Sequence, residues 1–436
     1  PSAAPAAVSG YLTGFLTTDY SHVGTSTGFG APSLLMDSAV RVRGVVLETE
    51  ASFSDGFARE GTRLVFGVPM REVLNMSKER TRIIVSLDRD FLHLEPGEMA
   101  NSRQFASTRL VMSTKDTMSR LYCVESGFSL TGAQADHRLR LSPTQVTAFA
   151  RALAAYVLPK LGSDAMGLAA AIGDVSGGDA FSSRFVEECG KDLLDAENRG
   201  KSLILAGPSQ PPEIHALVAA LNAALGNIGQ SIGYLPMTEE EAADSAKGIA
   251  ELTEAMAAGE VSTLICINTN PLYDGPAGFA EAFAKVPTTI TLSVESTETA
   301  AASTWSLNAA HYLESWGDTQ SHDGVIAPIQ PMIAPLYEPA MSDLEFITWL
   351  TDRSAERVDG YEVVRNVWRG FVQGDFEAQW RRALHDGVLH NTQQRTQAPR
   401  VNFEAVAEAM VRMSGQAPKG LEVVFQVGYP ADGRYA

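Results

Sequence analysis

Short apolar runs that alternate with amphipathic helical patterns constrain this chain more than any other feature. At 201–207, "KSLILAG" is a compact β-type run closed by a glycine. The turn "PSQPP" and the segment "EIHALVAALNAALGN" follow, with Ile214, Leu217, Val218, Leu221 and Leu225 on one helical face and Gly226 placed to end the helix. "TEEEAADSAKGIAELTEAMAAGE" reads as another helix, opened by a capping box at Thr238 and Glu241. Then "STLICIN", "GPAGFAEAFAKV" and "TTITLSV" read as strand, helix and strand. Upstream, "RTRIIVSLD" and "SRLYCVES" are strand-like and precede a well-marked helix. Ser142 is its N-cap, Pro143 its first residue and Gln145 completes the capping box; Val146, Phe149, Ala150, Leu153, Ala154 and Val157 share one face. This alternation predicts an α/β fold on parallel sheets.

The expected organisation is an irregular segment with a strand or two over 1–60, where "MDSAVRVRGVVLETEASF" alternates. A first parallel-sheet unit spans 61–162 and a second 163–330. A mixed α+β region over 331–436 ends in the strand-like "LEVVFQVGY".

Composition narrows the function classes. The 436 residues, 45% of them apolar, suffice for more than one core. A formal charge of -18, with no basic run carrying interleaved aromatics, excludes a broad polyanion surface, so no nucleic-acid partner is expected. No apolar run reaches the roughly 18 residues of a membrane span. The opening "PSAAPAAVSG" lacks the charged and apolar regions of a secretory signal and reads as a linker. Three cysteines, Cys123, Cys189 and Cys266, are too few for a four-thiolate zinc or iron–sulfur site and are expected to be buried, inert thiols.

Four motifs bear on chemistry. "GTSTG" at 24–28 matches the nucleophile-elbow pattern around Ser26, but no helix follows it, which favours an ordinary loop. "AGPSQPPEIH" sits at a strand-to-helix turn that could hold an anion, yet Pro211 and Pro212 remove donors; His215 reads as a satisfied, partly buried residue. "NTNPLYDGP" follows a strand, where α/β sheets bind ligands; Asn268, Asn270 and Asp274 could bond a ligand or their own backbone. "NAAHYLESWGDTQSHDG" at 308–324 is densest. His311 and Glu314 are three apart, but a metal would also need His322 and Asp323 to fold back past Gly317. A structural turn at Gly317, with Trp316 packed, is the preferred reading.

Taken in order, "SLDRDFL", "RLYCVESGFSLTGAQADHRLRL", "AALNAALGNIG", "NTNPLYD", "STETAAASTWSLNAAHYLESWGD" and "FEAQWRRALHDGVL" resemble the molybdopterin-oxidoreductase-like region of the large iron–sulfur subunit of alternative complex III, a bacterial membrane quinol:electron-acceptor oxidoreductase. The likeness covers about residues 57–436. It implies the α/β fold of molybdenum bis-molybdopterin-guanine-dinucleotide enzymes, with two Rossmann-like parallel-sheet units plus a mixed C-terminal region. It also implies a place on the periplasmic side of the membrane, peripheral, exported as part of a larger precursor. Partners would be a downstream ferredoxin-like iron–sulfur domain and other subunits of the complex.

The chain departs from active relatives. It shows no amino-terminal cysteine cluster, and "SLDRDF" stands where they read G-x-N-P. Asn268-Thr269-Asn270-Pro271 stands where many have GGNP, and Asp88 is an unsupported metal ligand. Two main readings follow. One is a cofactor-free scaffold with no catalytic or metal residues. The other is an active molybdopterin-dependent oxidoreductase with Asn270, Glu298, His311 and Asp318 near the cofactor. A free-standing hydrolase using Ser26 or the His311–Glu314 pair is a third class.

Overall fold

The computed structural model describes residues 11–14, 43–45, 56–93, 95, 97–173, 183–237, 245–351, 358–413 and 422. Ser26, the capping box at Thr238 and the "LEVVFQVGY" run, apart from Glu422, lie outside them. The described strands, in chain order, are β1 (Tyr11–Gly14), β2 (Arg43–Val45), β3 (Met70–Leu74), β4 (Ile83–Leu87), β5 (Arg120–Glu125), β6 (His137–Arg140), β7 (Ser202–Ala206), β8 (Ile232–Pro236), β9 (Thr263–Ile267), β10 (Thr288–Ser293), β11 (Trp305–Asn308), β12 (Gly317–Gln320) and β13 (Ile326–Ile329). The chain divides into two compact units. One comprises residues 1–52, 244–394 and 427–436; the other comprises 53–243 and 395–426.

The 53–243 unit is built on a parallel sheet in the order β6-β5-β4-β7. Every residue of β4 and β7 is buried, as expected of strands covered on both faces. Ile83, Val85 and Leu87 join Tyr122, Val124 and Ile204 under the helices Pro143–Val157, Ser183–Leu194 and Pro212–Ala224. The alternate residues Ile84, Leu121, Leu203 and Leu205 face Phe91, Phe105 and the antiparallel β3–β8 ribbon. The 143–157 helix buries all six residues of the face read from its periodicity, and Gln145 accepts the Ser142 N–H at 3.0 Å. Gly226, at φ 78°, ends the 212–224 helix as expected. The run "KSLILAG", read as opening a second unit, instead places β7 beside β4. Periodicity specifies a buried strand but not which neighbour it pairs with.

The other unit carries a five-stranded parallel sheet in the order β11-β10-β9-β1-β2. Leu264 and Cys266 pack under Leu252, Met256, Phe279 and Phe283, while Ile267 and Leu292 pack against Phe346 and Ile347. A separate aromatic cluster around Trp368 and Trp380 holds the β12–β13 hairpin through Ile326. The fold is therefore α/β with parallel sheets. In the described part of 331–413 the regular elements are helices, joined by irregular segments and isolated bridges.

Candidate functional site

In an open α/β sheet, ligands bind outside the carboxyl ends of the strands where the strand order reverses. In the 53–243 unit the chain runs β4, β5, β6 outward and then returns to place β7 on the other flank of β4. The reversal therefore lies between the loops after β4 and β7, at Asp88 and Gly207.

This point is filled by the chain itself. Asp88 adopts φ 58°, a conformation that Asp tolerates better than most residues. Its Oδ1 accepts the Ser126 N–H and the Ser126 hydroxyl, both at 2.9 Å. Its Oδ2 accepts the Ser209 hydroxyl at 3.2 Å and the Gln210 amide at 3.5 Å. One carboxylate thus ties together the ends of β4, β5 and β7. Gly207 is required beside it, because a Cβ there would lie 1.7 Å from the Asp88 carbonyl oxygen.

Two more carboxylates fill the neighbouring space. Asp90 accepts the N–H and hydroxyl of Thr131 at 2.9 and 2.7 Å. Glu125, 3% exposed, accepts from the Ser129 hydroxyl and from Arg138 Nε, both at 2.5 Å, and packs against Gly132. Asp88→Ala would leave the Ser126 and Ser209 donors without their acceptor. An expected loss of about 1–2 kcal/mol follows, measurable as a lower urea midpoint; an unchanged midpoint would show that this node does not form in solution.

Behind Asp88 lies a largely buried ionic cluster. Arg89 bonds Glu72 and, at 2.7 Å, Glu95. Burial raises the Glu95 carboxyl above its ordinary range while Arg89 works against that rise. His215 and Tyr234 lie close enough to feel Glu72 and Arg89 electrostatically. His215 differs from expectation: it is 6% exposed, and its Nε2 has no hydrogen-bond partner among the described residues. The helix 212–224 turns that ring inward, where burial lowers its pKa to about 4. The charge run in "SLDRDF" was the one sequence signal for this cluster; its partners lie too far along the chain to be read from it.

In the other unit the order reverses between β1 and β9. Residues that follow β1 lie outside the described ones. After β9, Asn268 takes φ 49° and its N–H bonds the Leu292 carbonyl at 2.8 Å. Asn270, 2% exposed, donates to Glu298 Oε2 at 2.6 Å and accepts the Thr299 N–H and hydroxyl at 3.1 and 2.9 Å. That bond to Asn270 holds the Glu298 carboxyl below its usual range. The structure therefore brings Asn270 and Glu298 together, and no hydrogen bond joins either to His311 or Asp318.

His311 and Glu314 form a turn rather than a helical face. Glu314 accepts the backbone N–H groups of His311 and Leu336, at 3.2 and 3.4 Å. The His311 Nδ1 accepts the Leu313 N–H at 3.2 Å. Trp316 packs edge-on to Tyr361 at 4.8 Å, and Asp318 accepts the Trp368 indole N–H at 2.8 Å. Burial raises the Asp318 carboxyl, with the indole opposing. The Asp323 side chain accepts from Ser321 and from Gln393 Nε2, the latter at 2.8 Å.

Similarity to known proteins is confined to structure. No protein-family profile matches the chain, and no curated protein matches it significantly. Acetylene hydratase from Pelobacter acetylenicus is similar at 13% identity and a TM-score of 0.46, over 82% of this chain and 54% of that one. The formyltransferase/hydrolase complex from Methylorubrum extorquens, solved with methylofuran, is similar at 14% identity and a TM-score of 0.45, over 79% of this chain and 90% of that one. This chain spans about half the length of the hydratase.

The donor set can still be tested against a phosphate-rich molybdopterin cofactor. Around β4 and β5 the strand ends present Asp88, Asp90 and Glu125, all three accepting bonds from the protein. Asn270 and Asp318 spend their side chains internally. The three cysteines are buried and free, and burial raises all three thiols, Cys266 to about 12. Among the described residues no group of three or more His, Cys, Asp or Glu side chains is arranged for a metal ion. These residues do not fit the cofactor. Nor is any described helix long and apolar enough to cross a membrane.

Proposed function

We propose that this chain is a cofactor-free, molybdopterin-oxidoreductase-like scaffold. It docks an iron–sulfur domain and neighbouring subunits of a membrane-attached quinol:electron-acceptor oxidoreductase, on the periplasmic side. The observation that carries the cofactor-free part is the Asp88 carboxylate, seated at the strand-order reversal with donors from two other loops. A negatively charged side chain there repels a polyphosphate and occupies the donors that would hold one. The complex and its partners rest on the six ordered blocks of resemblance in the sequence.

The test is elemental and pterin analysis of protein purified from its native host. The scaffold reading expects molybdenum and tungsten at background and no fluorescent pterin after oxidative denaturation. Stoichiometric metal with pterin would overturn it. Native purification should also bring down a cysteine-rich iron–sulfur polypeptide, or reveal one fused to this chain. A chain isolated alone and without such a fusion would remove the docking role.

A further inference from the structure

We propose that a cleft at the amino edge of the four-stranded sheet binds a small planar aromatic anion. The cleft encloses about 540 Å³, within the ~300–1,000 Å³ range of small-molecule sites. It lies where β5 and β6 begin, at the strand ends opposite Asp88, so it is independent of the scaffold reading.

One wall is aromatic. Tyr122 stacks on His137 at 4.8 Å and 27°, and Phe185 meets Tyr122 edge-on at 5.7 Å. His137 is the exposed ring of this stack, and Leu139 adds apolar surface beside it. The charges are unevenly committed. Asp192 takes Arg120 and, at 2.7 Å, the Tyr122 hydroxyl. Glu188 is bonded to Lys191 at 2.8 Å. Arg184, exposed and one turn before Glu188, acts on that carboxylate at longer range, without a salt bridge to it among the described residues. The cleft thus offers a ring surface beside the Arg184 guanidinium, which shares the cleft with Glu188. A flat ring can stack on His137 while its acidic group pairs with Arg184. In a chain of net charge -18, two guanidinium groups beside an aromatic wall, with Asp192 held by Arg120 and Tyr122 and Glu188 by Lys191, make this a place where an acidic ring can seat.

Isothermal titration of the full chain with 1-naphthoate tests this, with 1-naphthamide as the neutral ring and cyclohexanecarboxylate as the non-planar anion. Naphthoate is expected to bind one-to-one, and each comparison compound about tenfold more weakly. Arg184→Gln and His137→Ala alter exposed side chains, so both variants should keep the wild-type circular dichroism, and each should weaken naphthoate by a similar factor. No binding of naphthoate at about 5 mM (a ~3 kcal/mol limit), equal binding of the amide, or unchanged affinity in the folded Arg184→Gln variant would overturn the proposal.

Discussion

Lowering the pH from 7 to 4.5 is expected to cost the His215-bearing unit about 2–3 kcal/mol, a loss that His215→Leu removes. The imidazole is 6% exposed, lacks a partner for Nε2, and has a pKa of about 4 against an ordinary 6.5. Burial is the main cause, with the charge of Arg89 acting the same way and Glu72 against it. The sign follows from proton binding. Between 6.5 and about 4 the unfolded chain holds more protons at this site, so stability is full above 6.5 and falls as pH drops through that window. Glu95 works the other way: its raised pKa makes the folded state the better proton binder above the ordinary carboxyl value. Comparing wild type with His215→Leu cancels that contribution. At pH 7 the leucine variant is expected to change stability little, because it removes the unpartnered Nε2 but also the ring's backbone hydrogen bonds at Gly207 and Gln210. Urea melts of both proteins at pH 7, 5.5 and 4.5 measure this. Parallel stability curves would show that His215 does not titrate as a buried group.

The elements that the sequence revealed are those whose causes are local. A capping box, a proline at the first position and one apolar stripe are enough to specify the helix 143–157. A short run rich in apolar and β-branched residues, ending in a turn, is enough to specify β4, β9 or β10. Partner choice is not local: β7 lies beside β4 although the helices 143–157 and 183–194 intervene in sequence. The candidate site failed to show for the same reason. Asp88 is joined to Ser126 and Gln210, 38 and 122 residues away, and nothing in "SLDRDF" names either. The turn at His311–Glu314 was easier to read, since its hydrogen bonds mostly close within a few residues. There the two groups share a face in sequence but bond backbone in the structure. His215 shows the limit most plainly. Its helical position is legible, while the charges around its ring, Glu72 on β3 and Arg89 after β4, come from far along the chain.

Arg89→Met is expected to destabilise the same unit by about 3–5 kcal/mol, the largest effect of any single substitution considered. The guanidinium lies largely out of solvent between Glu72 and Glu95, at 15% exposure, and the two carboxylates, Glu95 foremost, raise its pKa against the effect of desolvation. Glu72 lies directly across the β3–β8 ribbon from the buried Tyr234, so water cannot easily replace the lost cation. Truncation therefore strands negative charge in the interior, whereas replacing all three charges need not. Glu72→Gln and Glu95→Gln combined with Arg89→Met should recover most of the loss, because an uncompensated charge costs more than an absent ion pair. The single variant should also show a shallower pH trend than the wild type. With Arg89 gone, nothing opposes the burial that already raises Glu95, so protonation of Glu95 above the ordinary carboxyl range partly relieves the variant as pH falls. A loss below about 1 kcal/mol, or one that the triple variant does not repair, would mean that Arg89 is solvated in solution. The consequence reaches the strand ends. Arg89 directly follows Asp88, and its carbonyl accepts the Ser86 hydroxyl at 2.6 Å, so the buried cluster fixes the loop that presents Asp88. If the cluster is rigid, the carboxylate occupies the reversal point permanently and cannot swing aside for a ligand. Arg89→Met is thus also the substitution most able to loosen that plug, and it should weaken the Asp88–Ser126 bonds, seen as faster amide exchange at Ser126.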